Sequence, residues 1–196
     1  MTDKNVSIMN IGSMGYLPQV FKKIENEKKL NIVYLGGSIT MGCNATKTEL
    51  RYVDRSAKWW QTNFPDAEIS YFNAGIGATT SQFGVARVQE HVLDKQPDLV
   101  FVEFSVNDSS SPLFMETYES LVRRLLKAES VKAVVLINNL FYDTGANAQG
   151  IHNAIGLHYD LPIVSVRNYI FPEIQLGNVC LADYTADMLH PTDLGH

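Results

Sequence analysis

The chain has 196 residues, 45% of them apolar and 19% charged, with no repeat or low-complexity stretch, which excludes a disordered protein and a disulfide-dense mini-domain. One domain of that length buries roughly 70% of its unfolded surface and stands without staples. The net charge is -5, and Lys and Arg are scattered apart from small clusters such as Lys22-Lys23, Lys28-Lys29 and Arg123-Arg124, so nucleic acid is excluded as a partner.

Residues 1–7 carry no basic segment followed by an apolar stretch, and no apolar run approaches membrane-spanning length. A soluble cytoplasmic protein is expected, with secretion as the alternative if a signal has been removed. A short helix is predicted over 18–29, leading into a first strand at 31–35. That strand runs out through Ile32-Val33-Tyr34-Leu35-Gly36-Gly37-Ser38. Ala57, Trp60 and Phe64 follow at i, i+3 and i+7, which makes Trp60 a core residue even though the pair Trp59-Trp60 invites a sugar-stacking reading.

A second strand at 68–72 ends in Asn73-Ala74-Gly75 and gives way to a stripe of Val85, Val88 and Val92. A third, at 98–104, ends in Ser105-Val106-Asn107-Asp108. The stripe of Met115, Tyr118, Leu121, Val122, Leu125 and Leu126 follows, then a fourth strand at 131–137. A helix around 147–159, with Ile151, Ala154 and Ile155 on one side, precedes the last strand at 161–166. Most of these strands are continuously apolar, as strands buried on both faces must be, so the pattern is that of a parallel sheet with helices on each side. Ligands of such sheets bind outside the carboxyl ends of the strands. Ser38, Gly75 and Asn107 all lie there.

Three familiar loops fail on inspection. Gly37-Ser38-Ile39-Thr40-Met41-Gly42 has the glycine spacing of a phosphate loop, but Cys43 and Asn44 stand where Lys and Ser or Thr are needed. The same stretch misses the G-x-S-x-G elbow because Thr40 occupies the second glycine position. Gly75-Ile76-Gly77-Ala78-Thr79-Thr80 lacks the third glycine of a dinucleotide fingerprint and follows the wrong strand. The five histidines form no ligand-spaced cluster, and Cys43 and Cys180 form no CxxC pair, so no metal, no cofactor and reduced thiols are expected.

Asp187-Met188-Leu189-His190-Pro191 places a carboxylate three residues before an imidazole. At i and i+3 the two can meet within one turn, and a hydroxyl such as that of Ser38 would complete a nucleophilic set. Taken singly, Ser38 and Asn107 read equally as helix caps and Gly75 as a tight turn. Together, in this order after successive strands, the blocks Gly36-Gly37-Ser38-Ile39-Thr40, Asn73-Ala74-Gly75, Val106-Asn107-Asp108 and Asp187-Met188-Leu189-His190-Pro191 resemble those of the SGNH hydrolase superfamily, the GDSL-like esterases.

That resemblance, from about Ile32 to the last residue, implies one flavodoxin-like domain, a three-layer α/β/α sandwich with a five-stranded parallel sheet. It implies Ser38 as nucleophile, His190 as general base and Asp187 as its orienting carboxylate. The oxyanion hole would be the Ser38 and Gly75 N–H groups with the Asn107 side-chain amide. Two departures stand out: Gly37 replaces the Asp that usually precedes the serine, and the chain stops at His196 where relatives continue into a final helix. The latter implies exposed apolar sheet, covered by a homodimer partner or a missing C-terminal accessory domain. Leu35-Gly36-Gly37-Ser38-Ile39-Thr40 with Trp59-Trp60 is similar to the carbohydrate-esterase branch that deacetylates xylan or mannan. A lipase, thioesterase or aryl-esterase of the same superfamily, and a noncatalytic sugar-binding module on the same fold, remain open.

Overall fold

The computed structural model describes residues 3–196. Its elements run β1 Ile8–Asn10, α1 Leu17–Glu27, β2 Lys29–Gly36, α2 Ser38–Met41, α3 Tyr52–Asn63, β3 Glu68–Gly75, α4 Ser81–His91, β4 Leu99–Glu103, α5 Pro112–Leu126, β5 Ala133–Asn138, α6 Gln149–His158, β6 Ile163–Ser165, α7 Val166–Gln175 and α8 Leu181–Tyr184.

The sheet order is β1-β6-β5-β4-β2-β3. Five strands are parallel, as expected, and β1 adds a sixth that pairs antiparallel with β6. A three-residue edge strand carries too little pattern to be read from sequence. The short helices α2 and α8 and the helix α7 are likewise absent from the sequence pattern.

Alternate residues of each central strand serve opposite layers. Val33, Leu35, Val100, Val102, Val134 and Leu136 pack with residues of α4, α5 and α6, including Val88, Tyr118, Leu121 and Ile155. Ile32, Tyr34, Leu99 and Val135 pack with Val20 and Ile24 of α1 and with Val53 and Trp60 of α3. The chain therefore changes face at β2, whose two neighbours are reached through helices on opposite sides. A crevice opens at that reversal, and Ser38 sits at it.

β3 departs from the expectation of full burial: half of its residues are exposed and only Ala74 is buried. It pairs only with β2 and forms the outer edge, so one strand's worth of polar alternation, Glu68 to Asn73, is tolerated there. On the α1/α3 side, Phe101, Val135, Ile137 and Val164 line an apolar groove of about 280 Å³, bounded by Pro191 and His196.

Trp60 is buried at 5% exposure and stacks within Phe21 and Phe64, whereas Trp59 is 52% exposed. Trp60→Ala should therefore lower unfolding free energy by about 3–5 kcal/mol. Trp59→Ala should stay within roughly 0.5 kcal/mol of the wild type. Urea unfolding of both variants checks this, and equal losses would contradict the assignment of Trp60 to the core.

Candidate active site

β2 ends at Gly36, and Ser38 opens the one-turn helix α2. Two close approaches make that corner possible. A Cβ on Gly36 would collide with the Thr40 side chain and lie 2.6 Å from the Glu103 carbonyl, and a Cβ on Gly75 would fall 2.6 Å from the Thr40 carbonyl carbon. Glycine at both positions lets α2 sit directly on the ends of β3 and β4. As the first residue of α2, Ser38 has a backbone N–H with no partner inside the helix.

Asp187 and His190 are brought together by an irregular turn, with Met188 in the left-handed region at φ 67°. The helical i, i+3 geometry inferred from spacing is not what pairs them. The Leu189 and His190 amides donate to Asp187 Oδ1 at 3.0 and 2.7 Å, which folds the carboxylate back over the turn. Its other oxygen, Oδ2, accepts from His190 Nδ1 at 2.7 Å, and His190 Nε2 lies 2.9 Å from Ser38 Oγ. A carboxylate accepts only, so Nδ1 carries the ring proton and Nε2 is left to accept from the serine hydroxyl. Partial burial disfavours the Asp187 anion, yet the His190 ring and the two turn amides outweigh it and hold the carboxyl far below its ordinary range.

The turn is tied to the nucleophile's own loop. Asn44 Nδ2 donates to Asp187 Oδ2 at 3.3 Å, and Thr46 donates through N and Oγ1 to Asp193 at 2.8 and 2.6 Å. Thr185 pairs with Pro191 in an isolated bridge and donates to the His190 carbonyl at 2.9 Å. Asn44 and Thr46 carry no sequence signal, because their partners are more than 140 residues away.

The three residues assigned to the oxyanion hole differ in their surroundings. Asn107 follows β4 with Nδ2 free of any partner among the described residues, while its Oδ1 is buried and unpaired. The Gly75 N–H instead donates to Asn73 Oδ1 at 2.9 Å, and Asn73 Nδ2 donates to the Thr40 carbonyl at 2.8 Å. Asn73 thereby staples the β3 end to α2. The next stretch of that loop comes closer to the serine: a Cβ on Gly77 would be 3.9 Å from Ser38 Cβ, and the Thr79 carbonyl flanks Gly37. Ala78, between them, is left-handed at φ 56° and exposed, and its N–H has no partner among the described residues.

Two buried polar groups hold these loops from behind. Arg87, 5% exposed, donates to the Ala74 carbonyl at 2.7 Å and the Gly36 carbonyl at 3.0 Å. It clamps carbonyls near the ends of β3 and β2, and burial lowers its pKa to about 10. Asp108 accepts from the Ser81 N–H at 2.9 Å and from His152 Nε2 at 3.1 Å. His152 is fully buried and stacks on Tyr118 at 3.6 Å, and burial lowers its pKa although Asp108 opposes the shift. The Asp108–His152 pair anchors the residue after Asn107 to α4 and α6. Neither role is visible in sequence, where Arg87 carries no signal and His152 is one of five scattered histidines. No three His, Cys, Asp or Glu side chains among the described residues form a metal-holding group.

A family model described as GDSL-like lipase/acylhydrolase matches residues 34–196. Among solved structures, a two-domain esterase (CEX) active on acetylated mannans superposes with a TM-score of 0.97 at 46% identity, over 100% of this chain and 53% of that one. The same esterase co-crystallized with mannopentaose gives the same figures. The chain thus spans about half the length of that two-domain protein. A catalytic mutant of Axe2, an acetylxylan esterase from Geobacillus stearothermophilus, shares the fold with a TM-score of 0.71 at 21% identity, over 85% of this chain and 89% of that one. No protein of curated function matches the chain.

Glu103, at the end of β4, is fully buried, and burial raises its pKa from 4.5 to about 7 against the opposing hydrogen bonds of Asn139 and Ser105. The folded state then holds a proton that the unfolded state has lost, so stability falls as pH rises from about 4.5 to about 7 and levels off above. Glu103→Gln should remove that decline, leaving the two proteins closest in stability near pH 4.5 and the variant ahead above pH 7 by on the order of 2–3 kcal/mol. Parallel curves of unfolding free energy against pH would rule this out.

Proposed function

The chain belongs to the GDSL-like lipase/acylhydrolase family, and from that membership we propose that it is a serine esterase that removes small acyl groups, acetyl above all, from polysaccharides or oligosaccharides such as mannan and xylan. The observation that carries the reading is the unbroken chain Ser38 Oγ, His190 Nε2, His190 Nδ1, Asp187 Oδ2, at 2.9 and 2.7 Å. The 46% identity to an esterase active on acetylated mannans supports the choice of substrate.

In this mechanism Ser38 Oγ attacks the ester carbonyl as its proton passes to His190 Nε2. Asp187 stabilises the imidazolium and keeps its Nδ1 proton in place. The tetrahedral oxyanion takes hydrogen bonds from the Ser38 N–H, from Asn107 Nδ2 and from the loop after β3. Gly75 can serve there only by leaving Asn73, whereas the Ala78 N–H is already unengaged. His190 then returns the proton to the departing sugar hydroxyl. Water, activated by the same imidazole, attacks the acyl-serine and releases acetate, restoring Ser38. The Arg87 charge behind the Ala74 and Gly36 carbonyls keeps both loops in register and adds a positive field on the side where negative charge develops.

Acetate release from acetylated mannan and xylan oligosaccharides tests the proposal. Ser38→Ala should abolish release, losing on the order of 10⁶-fold in kcat, and should also abolish labelling by a serine-directed phosphonate. Asn107→Ala should lose about 100-fold in kcat with little change in KM. Equal activity on long-chain and acetyl p-nitrophenyl esters would redirect the assignment to a lipase-type member, and the absence of both phosphonate labelling and turnover on any ester would point to a binding module.

A further inference from the structure

The Asn107 amide must present its NH₂ end to a substrate oxyanion, yet no hydrogen bond fixes its orientation. Its Oδ1 is buried with no partner among the described residues. An orphaned buried oxygen normally turns toward a donor, so its place here depends on the room around it. Gly37 lies directly beneath the amide: a Cβ there would collide with Oδ1, stand 3.2 Å from Cγ and approach the Thr79 carbonyl at 3.5 Å. Gly37 caps α2 without any side-chain hydrogen bond, and its φ of -88° is open to every residue type. The glycine is therefore required for the space above it and not for its backbone angle.

We propose that Gly37 is a positioning residue for Asn107: the bare Cα before Ser38 forms a seat for Oδ1, and an amide lying in that seat has its NH₂ end available to the reacting carbonyl. The inference rests on the reading of Asn107 as an oxyanion donor. A methyl group at 37 fills the seat, and Asn107 must swing away or rotate, so the donor is lost while Ser38 and His190 remain in place.

A double-mutant cycle over wild type, Gly37→Ala, Asn107→Ala and the double variant tests this on p-nitrophenyl acetate. Gly37→Ala should lower kcat by 10-fold or more with KM within about 2-fold, and should add less than about 2-fold once Asn107 is already alanine. The same factor in both backgrounds, or no loss at all, overturns the proposal. Melting temperatures give a second, independent reading: the loss caused by Gly37→Ala should be largely recovered in the double variant, where the clashing amide is gone. If Gly37→Ala fails to fold and the double variant folds, the seat is supported; if both fail, the clash lies elsewhere and the proposal falls. Full kcat in Asn107→Ala alone would remove the oxyanion reading itself, an outcome separate from any result on Gly37.

Discussion

The 2.9 Å contact between Ser38 Oγ and His190 Nε2 joins residues 152 positions apart, and the rest of the site is arranged around keeping it. Neither residue lies in a long element. Ser38 opens a one-turn helix, and His190 lies in an irregular loop beyond α8. Such segments have little stability of their own, so the contact depends on cross-bracing. Thr46 to Asp193, Asn44 to Asp187 and His196 to the Cys43 carbonyl supply it, each linking the loop after α2 to the chain's last turn. The Asp187 carboxylate that accepts from the imidazole is thus also one of the joints that brings His190 to Ser38.

A second constraint acts from below. The ends of β2, β3 and β4 must meet closely enough for α2 to lie across them, and glycines at 36 and 75 permit that approach. Behind them the buried guanidinium of Arg87 reaches from α4 to the Ala74 and Gly36 carbonyls. A guanidinium held by carbonyls instead of a carboxylate keeps its full charge, uncompensated, in a place of low polarity. Burying it in this way costs stability, as does the buried Glu103. Such groups concentrate behind one rim, with the Asp108–His152 pair beside them, so stability is exchanged there for fixed dipoles and charges.

The sheet was legible because its signals are local. Continuous Val, Ile and Leu in β2, β4 and β5 marked buried parallel strands, and the i, i+3, i+7 stripe through Ala57, Trp60 and Phe64 assigned Trp60 to the interior. β3 was readable as a strand but not as an edge, because edge position depends on the order of strands and not on the composition of one. β1 is three residues long and makes its only pairing with β6, more than 150 positions away, so it left no local trace. The serine, the histidine, the aspartate and the amide were picked out for a different reason: each lies in a short block, and the four blocks in this order resemble those of the SGNH hydrolases.

What the sequence by itself determined was the set of reactive groups and the strands that carry them, since residue type and period are properties of neighbouring positions. The tertiary structure alone decided how those groups are held. It turned the Gly75 N–H to Asn73, set the Asn107 oxygen over Gly37, placed Arg87 on two strand-end carbonyls and paired Asp187 with His190 through a left-handed Met188. Each of these is a matter of direction and distance between chain segments, and those are fixed only when packing brings the segments together.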